Sequence, residues 1–367
     1  TPTSTPTGTP TATPTATPTP PPGSCAVANT SVYGYNRDTN RLVRFNAATP
    51  GTLLLDVALT GLATDEFLVG IDYRPAGGAL YGIVANATRT RVVAINQSGE
   101  VVQVGTNSPP TLDSAFGVDF NPVPDRIRVI GNTTTSRRFD PNNGVLYGTD
   151  TNLAYAGGDP AFGTTPRVVH VGYTNSQAGA TLTTLFGIDS GTDTLVRIGG
   201  VDGTPSPNGG QVTTIGAMGV NAADFGGFDI QPFTNQAYSA LRVGGNSQLY
   251  SINLTTGAAT LIGAIGNGTN TIDGIAVAPC ATAAGVEVSG RVTTPDGRGL
   301  RNATVQMVDS QGVVRTATTS SFGYYSFDGI EAGSSIVMSV ESRRYRFAPR
   351  IIQVIDTLTD VDFVGQE

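Results

Sequence analysis

One phrase recurs along the chain: Gly70-Ile71-Asp72-Tyr73-Arg74-Pro75, Gly117-Val118-Asp119-Phe120-Asn121-Pro122 and Gly227-Phe228-Asp229-Ile230-Gln231-Pro232. A degenerate copy, Gly274-Ile275-Ala276-Val277-Ala278-Pro279, puts alanine in the aspartate place. The glycines lie 47, 110 and 47 residues apart, so the middle interval is two repeats long and one copy inside it has eroded. A second phrase, a short strand ending in a turn, occurs five times. Its copies are Leu42-Val43-Arg44-Phe45-Asn46, Val92-Val93-Ala94-Ile95-Asn96, Arg137-Arg138-Phe139-Asp140, Leu195-Val196-Arg197-Ile198 and Leu249-Tyr250-Ser251-Ile252-Asn253. Glycine turns and a further strand follow several of them, as at 99–105 and 257–263. About four short strands in roughly 50 residues is the signature of one propeller blade.

The two ends of the repeat region are out of phase with each other. Val32-Tyr33-Gly34-Tyr35 reads like a second blade strand, as does Leu80-Tyr81-Gly82-Ile83, whereas 275–279 reads like a first strand. One blade is therefore expected to be shared between the ends, giving a five-bladed β-propeller over 25–280 with no open edge between first and last blades. Cys25 and Cys280 stand just outside those two strands. A disulfide between them would lock the closure, worth roughly 5 kcal/mol on the chain-entropy argument, and would imply an oxidising, extracytoplasmic setting. The alternative is two unrelated buried thiols.

Composition narrows the chemistry. Of 367 residues, 39% are hydrophobic and only 13% charged, with 47 Gly and 23 Pro, a mix suited to short strands and tight turns. The net charge of −7 argues against nucleic acid as a partner. All 21 basic residues are Arg, which excludes a lysine Schiff base, a Walker-type phosphate loop and Lys–Asn cross-links. His170 is the only histidine, so no multi-histidine metal site forms within one chain, and no cofactor is expected. No apolar run reaches 18 residues, so no membrane span is expected. The sequence opens on Thr1-Pro2 with no signal peptide, which reads as a processed form or a fragment.

Residues 1–24 form a separate Thr/Pro-rich segment with a period of four. Proline removes amide donors and fixes φ, so an extended polyproline-II stalk is expected. About 22 residues at 3.1 Å each would reach roughly 70 Å. Thr1, Thr3, Thr5, Thr7, Thr9, Thr11, Thr13, Thr15, Thr17 and Thr19 are candidate O-glycan acceptors, as in mucin-like stalks. A plain flexible spacer is the alternative. N-glycosylation sequons stand at Asn29, Asn86, Asn96, Asn132, Asn253, Asn267 and Asn302, against about four expected by chance.

After a small-residue linker at 281–285, residues 286–367 change character. Alternation in Val286-Glu287-Val288-Ser289-Gly290-Arg291-Val292, turns at Pro295-Asp296-Gly297, and the strand signals at 300–307 and 319–327 predict an immunoglobulin- or transthyretin-like β-sandwich. On Gly290, Gly299, Asn302-Ala303, Val305, Gly323, Tyr325, Phe327 and Gly333, this segment resembles the carboxypeptidase regulatory-like family. That resemblance implies a structural or binding module appended to secreted domains. The region from Tyr33 to Pro279 resembles a bacterial secreted family known as a domain of unknown function. The residues that carry this are Tyr33-Gly34, 42–45, 116–122 and Arg126-Ile127-Arg128-Val129. It implies extracellular placement and supplies no catalytic residues. The fold class is thus all-β throughout.

Asp72, Asp119 and Asp229 share one repeat position. They read first as structural groups, each organising its blade turn by bonding nearby amides. The functional alternative is a carboxylate ring that binds Ca²⁺ or acts on a sugar. Repetition favours the structural role, because catalysis needs distinct environments for acid and base. His170 sits in the alternating strand Val168-Val169-His170-Val171, with Asp189 and Asp193 downstream. No GxSxG elbow accompanies them, so a plain strand histidine is expected. Arg137-Arg138 and Arg343-Arg344-Tyr345-Arg346 are either solvated faces or contacts for anionic glycans or an acidic neighbour.

With no catalytic constellation, the sequence points to a non-enzymatic extracellular structural protein at the cell surface. In that reading it is a glycosylated filament subunit, its partners being copies of itself and covalent glycans. The alternatives are a surface adhesin or carbohydrate-binding module, and a propeller glycosidase.

Overall fold

The computed structural model describes residues 30–76, 78–279, 286–309, 314–330, 335–354 and 357–366. The Thr/Pro tract, the Asn29 sequon, Cys25, Cys280 and the 281–285 linker lie outside the described residues, and with them the expected stalk and disulfide. The described residues are strands and turns, with helical turns only at Val201–Gly203 and Pro207–Gly209.

In chain order the first strands are β1 (Ser31–Asn36), β2 (Arg41–Asn46), β3 (Thr49–Ala58), β4 (Phe67–Tyr73), β5 (Leu80–Ala85), β6 (Thr90–Ile95) and β7 (Val101–Ser108). Then come β8 (Phe116–Asn121), β9 (Arg126–Gly131), β10 (Ser136–Phe139), β11 (Leu146–Thr149), β12 (Ala154–Tyr155), β13 (Val168–Tyr173), β14 (Leu185–Asp189), β15 (Thr194–Ile198) and β16 (Gln211–Ala217). β17 (Gly226–Ile230), β18 (Ala237–Val243), β19 (Asn246–Ile252), β20 (Ala259–Ala264) and β21 (Ile272–Val277) complete this region.

They build five open sheets: β21-β1-β2-β3, β4-β5-β6-β7, β8-β9-β10-β11, β12-β16-β15-β14-β13 and β17-β18-β19-β20. The first sheet joins both ends of the region, with Val32 of β1 opposite Val277 of β21 and Gly34 opposite Ile275. Four of the five are antiparallel throughout. In the fourth, β12 adds in parallel along the outer edge of β16.

Burial falls from the first strand of each sheet to the last. β8 is buried along almost its whole length and β13 along all of it. β3 and β7 alternate or are exposed. This gradient matches the sequence: first strands set Val, Ile, Leu and Phe around the buried Gly and Asp of the phrase, and last strands mix apolar residues with Thr, Gln and other polar ones. The apolar cores lie between sheets. Leu42 and Leu68 share a core, as do Val92 and Phe120, Ile130 and Val168, Ile188 and Phe228, and Tyr238 and Val43. The five first strands touch in sequence: β4 with β8, β8 with β13, β13 with β17, β17 with β21, and β21 with β4.

The motif glycines make this approach possible. A Cβ on Gly117 would lie 2.8 Å from the Val171 nitrogen, and one on Gly227 would press on the backbone nitrogen of Ile275. Gly227→Ala is therefore expected to cost about 2 kcal/mol, since a strand of the next sheet must move. Gly157, with open space around it, should tolerate alanine within about 0.5 kcal/mol. Urea unfolding of the two variants makes the comparison.

The C-terminal region is a sandwich, as expected. Its strands are β22 (Val286–Thr293), β23 (Thr304–Val308), β24 (Val314–Thr318), β25 (Tyr324–Ile330), β26 (Ser335–Glu341), β27 (Arg350–Gln353) and β28 (Phe363–Val364). They form sheets β25-β22-β28 and β24-β23-β26-β27. Val288, Val305, Tyr325, Phe327, Ile336 and Met338 fill the space between them.

Candidate functional site

The repeated phrase places its three signature residues at three depths along the line where the first strands meet. Successive odd positions of a strand face the same way, so the glycine and the aspartate of each copy point together. The glycines permit the close approach already described. Two residues on, the aspartates converge: Asp72, Asp119 and Asp229 are all buried, and each offers an oxygen within 4.8 Å of the others.

Each aspartate reaches the next sheet. Asp72 accepts from its neighbour Tyr73 N (2.6 Å) and from Phe120 N of β8 (2.7 Å). Asp119 accepts from Tyr173 N of β13 (3.2 Å). Asp229 accepts from Ile230 N (2.5 Å) and from Val277 N of β21 (2.5 Å). The carboxylates thus clasp one sheet to the next as well as fixing their own strand ends.

That pattern locates the eroded copy. Tyr173 donates to Asp119 as Phe120 donates to Asp72, so His170-Val171-Gly172-Tyr173-Thr174-Asn175 is the missing phrase. Gly172 occupies the aspartate position and His170 the glycine position.

Burial and mutual repulsion raise the carboxyl pKa values. Asp72 is pushed well up by desolvation and by Asp229. Asp119 is pushed well up by desolvation and by Asp72 and Asp229. Desolvation brings Asp229 to about 7. An all-carboxylate oxygen set suits a hard cation such as Ca²⁺, whose ligands sit about 2.3–2.6 Å away. The four oxygens of Asp72 and Asp229 already accept amide protons and offer only their second lone pairs.

A cavity of about 210 Å³ opens beside the carboxylates, with Asp72 and Asp229 among its walls. The rest of the lining comes from turns that follow the first strands: Arg74 and Pro75, Ser176 and Gln177, Pro232 and Phe233, and Pro279. Arg74 is already committed, its Nε to Asp125 (3.0 Å) and its Nη2 to Asn142 (2.7 Å). The Gln177 Oε1 is shielded from solvent and has no hydrogen-bond partner. Phe233 is 50% exposed and holds φ at +71°. On the glycine face, a space of about 10 Å³ is lined by Gly70, Gly117, His170 and Gly227.

The remaining candidates separate from this site. His170 is buried, which lowers its pKa to about 4, and its Nε2 lies 3.2 Å from the Ala223 carbonyl. Asp189 accepts from the Tyr155 hydroxyl (2.6 Å) and from Arg167 N (2.9 Å), and Asp193 from Ala222 N (2.8 Å). No bond among the described residues joins either to His170. Arg137 donates to the Pro110 carbonyl (2.7 Å), and Arg138 pairs with Asp150. Arg343, Arg344 and Arg346 are exposed on the sandwich.

Sequence reading passed over Arg128, buried and bonded to Tyr173, Ser136, Asp150 and Asn208. It also passed over Gln177 and Phe233. Among the sequons, Asn86 is buried and its amide donates to Asp65 (2.9 Å), while Asn96, Asn253, Asn267 and Asn302 are exposed and Asn132 is half-buried.

Comparisons with known proteins follow the same division. Residues 41–276 match the family described as a domain of unknown function, DUF4394. Residues 287–363 match the carboxypeptidase regulatory-like domain. No curated protein matches the chain. Among solved structures, it is similar to a putative 6-phosphogluconolactonase from Bacteroides uniformis. That match has 13% identity and a TM-score of 0.34, covering 88% of this chain and 82% of that one. A gluconolactonase from Xanthomonas campestris is 11% identical at a TM-score of 0.37, covering 68% and 80%. A protein from Lactobacillus plantarum is 14% identical at a TM-score of 0.35, covering 92% and 99%. Likenesses this distant say nothing of activity. By the match over 41–276, the chain belongs to the DUF4394 family and carries a carboxypeptidase regulatory-like domain behind it.

Proposed function

We propose that this protein is a secreted, non-catalytic binding module, in which five sheets are the blades of one propeller and a small ligand enters at its axis. The pairing of β1 with β21, the cyclic contacts of the first strands and the cores between successive sheets support the propeller. The cavity of about 210 Å³ beside Asp72 and Asp229 carries the binding reading. It has the usual make-up of a ligand site, with mostly apolar walls and a few convergent polar groups.

The non-catalytic part rests on the clasps. Asp72 and Asp229 have both oxygens held by backbone amides, which suits positioning better than proton transfer. The glycosidase alternative draws on the raised pKa of Asp229, near 7. The filament reading has no support among the described residues, since it depends on the Thr/Pro tract. Among the described residues no helix is long and apolar enough to cross a membrane.

The test is a thermal-shift screen of the full chain against a panel of small polar metabolites, repeated with Ala178→Trp. Ala178 lines the cavity and is exposed, so tryptophan there should fill the space and leave the fold intact. A ligand that raises the Tm of the parent protein and leaves the variant unmoved is expected. Equal shifts in both proteins, or none in either, would sink the reading.

A further inference from the structure

Phe233 is the conspicuous residue of the cavity wall. Phenylalanine in the left-handed region is strained, because its Cβ crowds the backbone. Its place in the repeat makes the strain local to one copy. The phrase's glycine plus six residues falls at Ala76, Val123, Ser176 and Phe233, and of these Phe233 alone has positive φ. The left-handed position two residues later is ordinary turn chemistry, supplied by Gly78, Asp125 and Asn235. The turn itself is well tied: Thr234 N bonds Pro232 O (2.9 Å) and Asn235 N bonds Gln231 O (3.1 Å). Asn235 Oδ1 accepts from Asn175 N (2.8 Å). A strained, half-exposed aromatic held at a cavity mouth by such scaffolding marks a contact surface.

The polar lining is mixed, the Ser176 hydroxyl and the Gln177 amide NH₂ being able to donate and the carboxyl groups to accept. Asp72 and Asp229 offer second lone pairs on their oxygens, and the Arg74 guanidinium is taken up by Asp125 and Asn142. Among the described residues of this wall an anionic ligand finds no uncommitted cation. A ligand with hydroxyl donors on its edge and an apolar face fits both features.

We infer that the cavity binds a carbohydrate, one sugar ring stacking on Phe233 while its hydroxyls hydrogen-bond the carboxyl groups of Asp72 and Asp229. This rests on the axial binding reading above and adds the ligand class. Burial raises the pKa of both carboxyl groups, that of Asp229 to about 7, which favours a neutral polyol over a fixed cation.

The experiment uses the full chain, isothermal titration and a set of probes: glucose, galactose, mannose, N-acetylglucosamine, CaCl₂ and ethanolamine. Phe233→Gly removes the ring and relaxes the backbone together. Its Tm should rise by about 2 °C while sugar affinity falls at least tenfold. Phe233→Trp should keep sugar affinity within about threefold, since a larger aromatic face remains.

A role in packing alone predicts the opposite for the glycine variant, a lower Tm with affinity unchanged, and that result overturns the inference. So does preference for CaCl₂ or ethanolamine over every sugar. If no sugar binds but another compound shows binding sensitive to Ala178→Trp, the carbohydrate inference fails and the binding reading survives. If nothing binds, both fail.

Discussion

Replacing Asp72 with alanine is expected to destabilise the protein by about 3–5 kcal/mol at pH 5, the largest loss among the substitutions considered. The two oxygens of Asp72 satisfy amides in two different sheets, Tyr73 N in its own and Phe120 N in the next. Alanine leaves both donors buried without partners, at about 1–3 kcal/mol each. The choice of pH matters. At pH 5, below the raised pKa of about 7 at Asp229, repulsion within the cluster is weaker, so the variant gains less from removing a charge. At pH 8 relief of repulsion offsets part of the loss. Urea unfolding at the two pH values measures both effects, and a loss below 1 kcal/mol at pH 5 would show that the clasp does not hold the sheets together.

Asp119→Asn should act in the opposite direction, raising stability by roughly 2 kcal/mol at pH 8 and by much less at pH 5. Asp119 has one accepting bond, from Tyr173 N at 3.2 Å, which the asparagine carbonyl can keep. Its new amide can donate to the carboxylates of Asp72 and Asp229. The sign follows from linkage. Folding raises these pKa values, so the folded state holds protons that the unfolded chain releases above its ordinary value of 3.8. Stability from these groups is therefore full below that value and is lost as pH climbs through their raised folded-state values, about 7 for Asp229. Taking out one carboxyl group flattens the dependence. A parent protein equally stable at pH 5 and pH 8, or a variant less stable at pH 8, contradicts this.

The opposite signs of these two variants come from details the sequence does not display. The repeat itself was readable: glycine, aspartate and proline at fixed spacing, each answering to a close approach, a buried acceptor and a turn. So was the out-of-phase start at Val32, which the β1–β21 pairing matches. The eroded copy was not readable, because His170, Gly172 and Asn175 replace all three signature residues. Only the bond from Tyr173 N to Asp119 identifies it. Phe233 and Gln177 were invisible for another reason. They lie beyond the repeated phrase, in turns whose direction depends on contacts such as Asn235 with Asn175.

The asparagine pattern shows a further limit of sequence reading. In Asn96-Gln97-Ser98, Asn253-Leu254-Thr255 and Asn267-Gly268-Thr269, each asparagine Oδ1 accepts from the backbone N–H two residues on, at 2.9–3.1 Å. A turn that uses Asn and a small hydroxyl residue writes the same letters as a glycosylation sequon. Exposure separates the cases better than the letters do: Asn86 is buried and Asn253 is not.

The whole account depends on three carboxyl groups sharing one buried place where five strands meet. Carboxyl ¹³C NMR of aspartate-labelled protein, titrated from pH 3 to pH 9 and assigned with single Asn variants, tests it directly. Asp229 should titrate near 7, with Asp72 and Asp119 well above the ordinary value of 3.8. Three aspartates titrating at or below 4 would contradict it, by showing them exposed, apart, or neutralised by a bound ion.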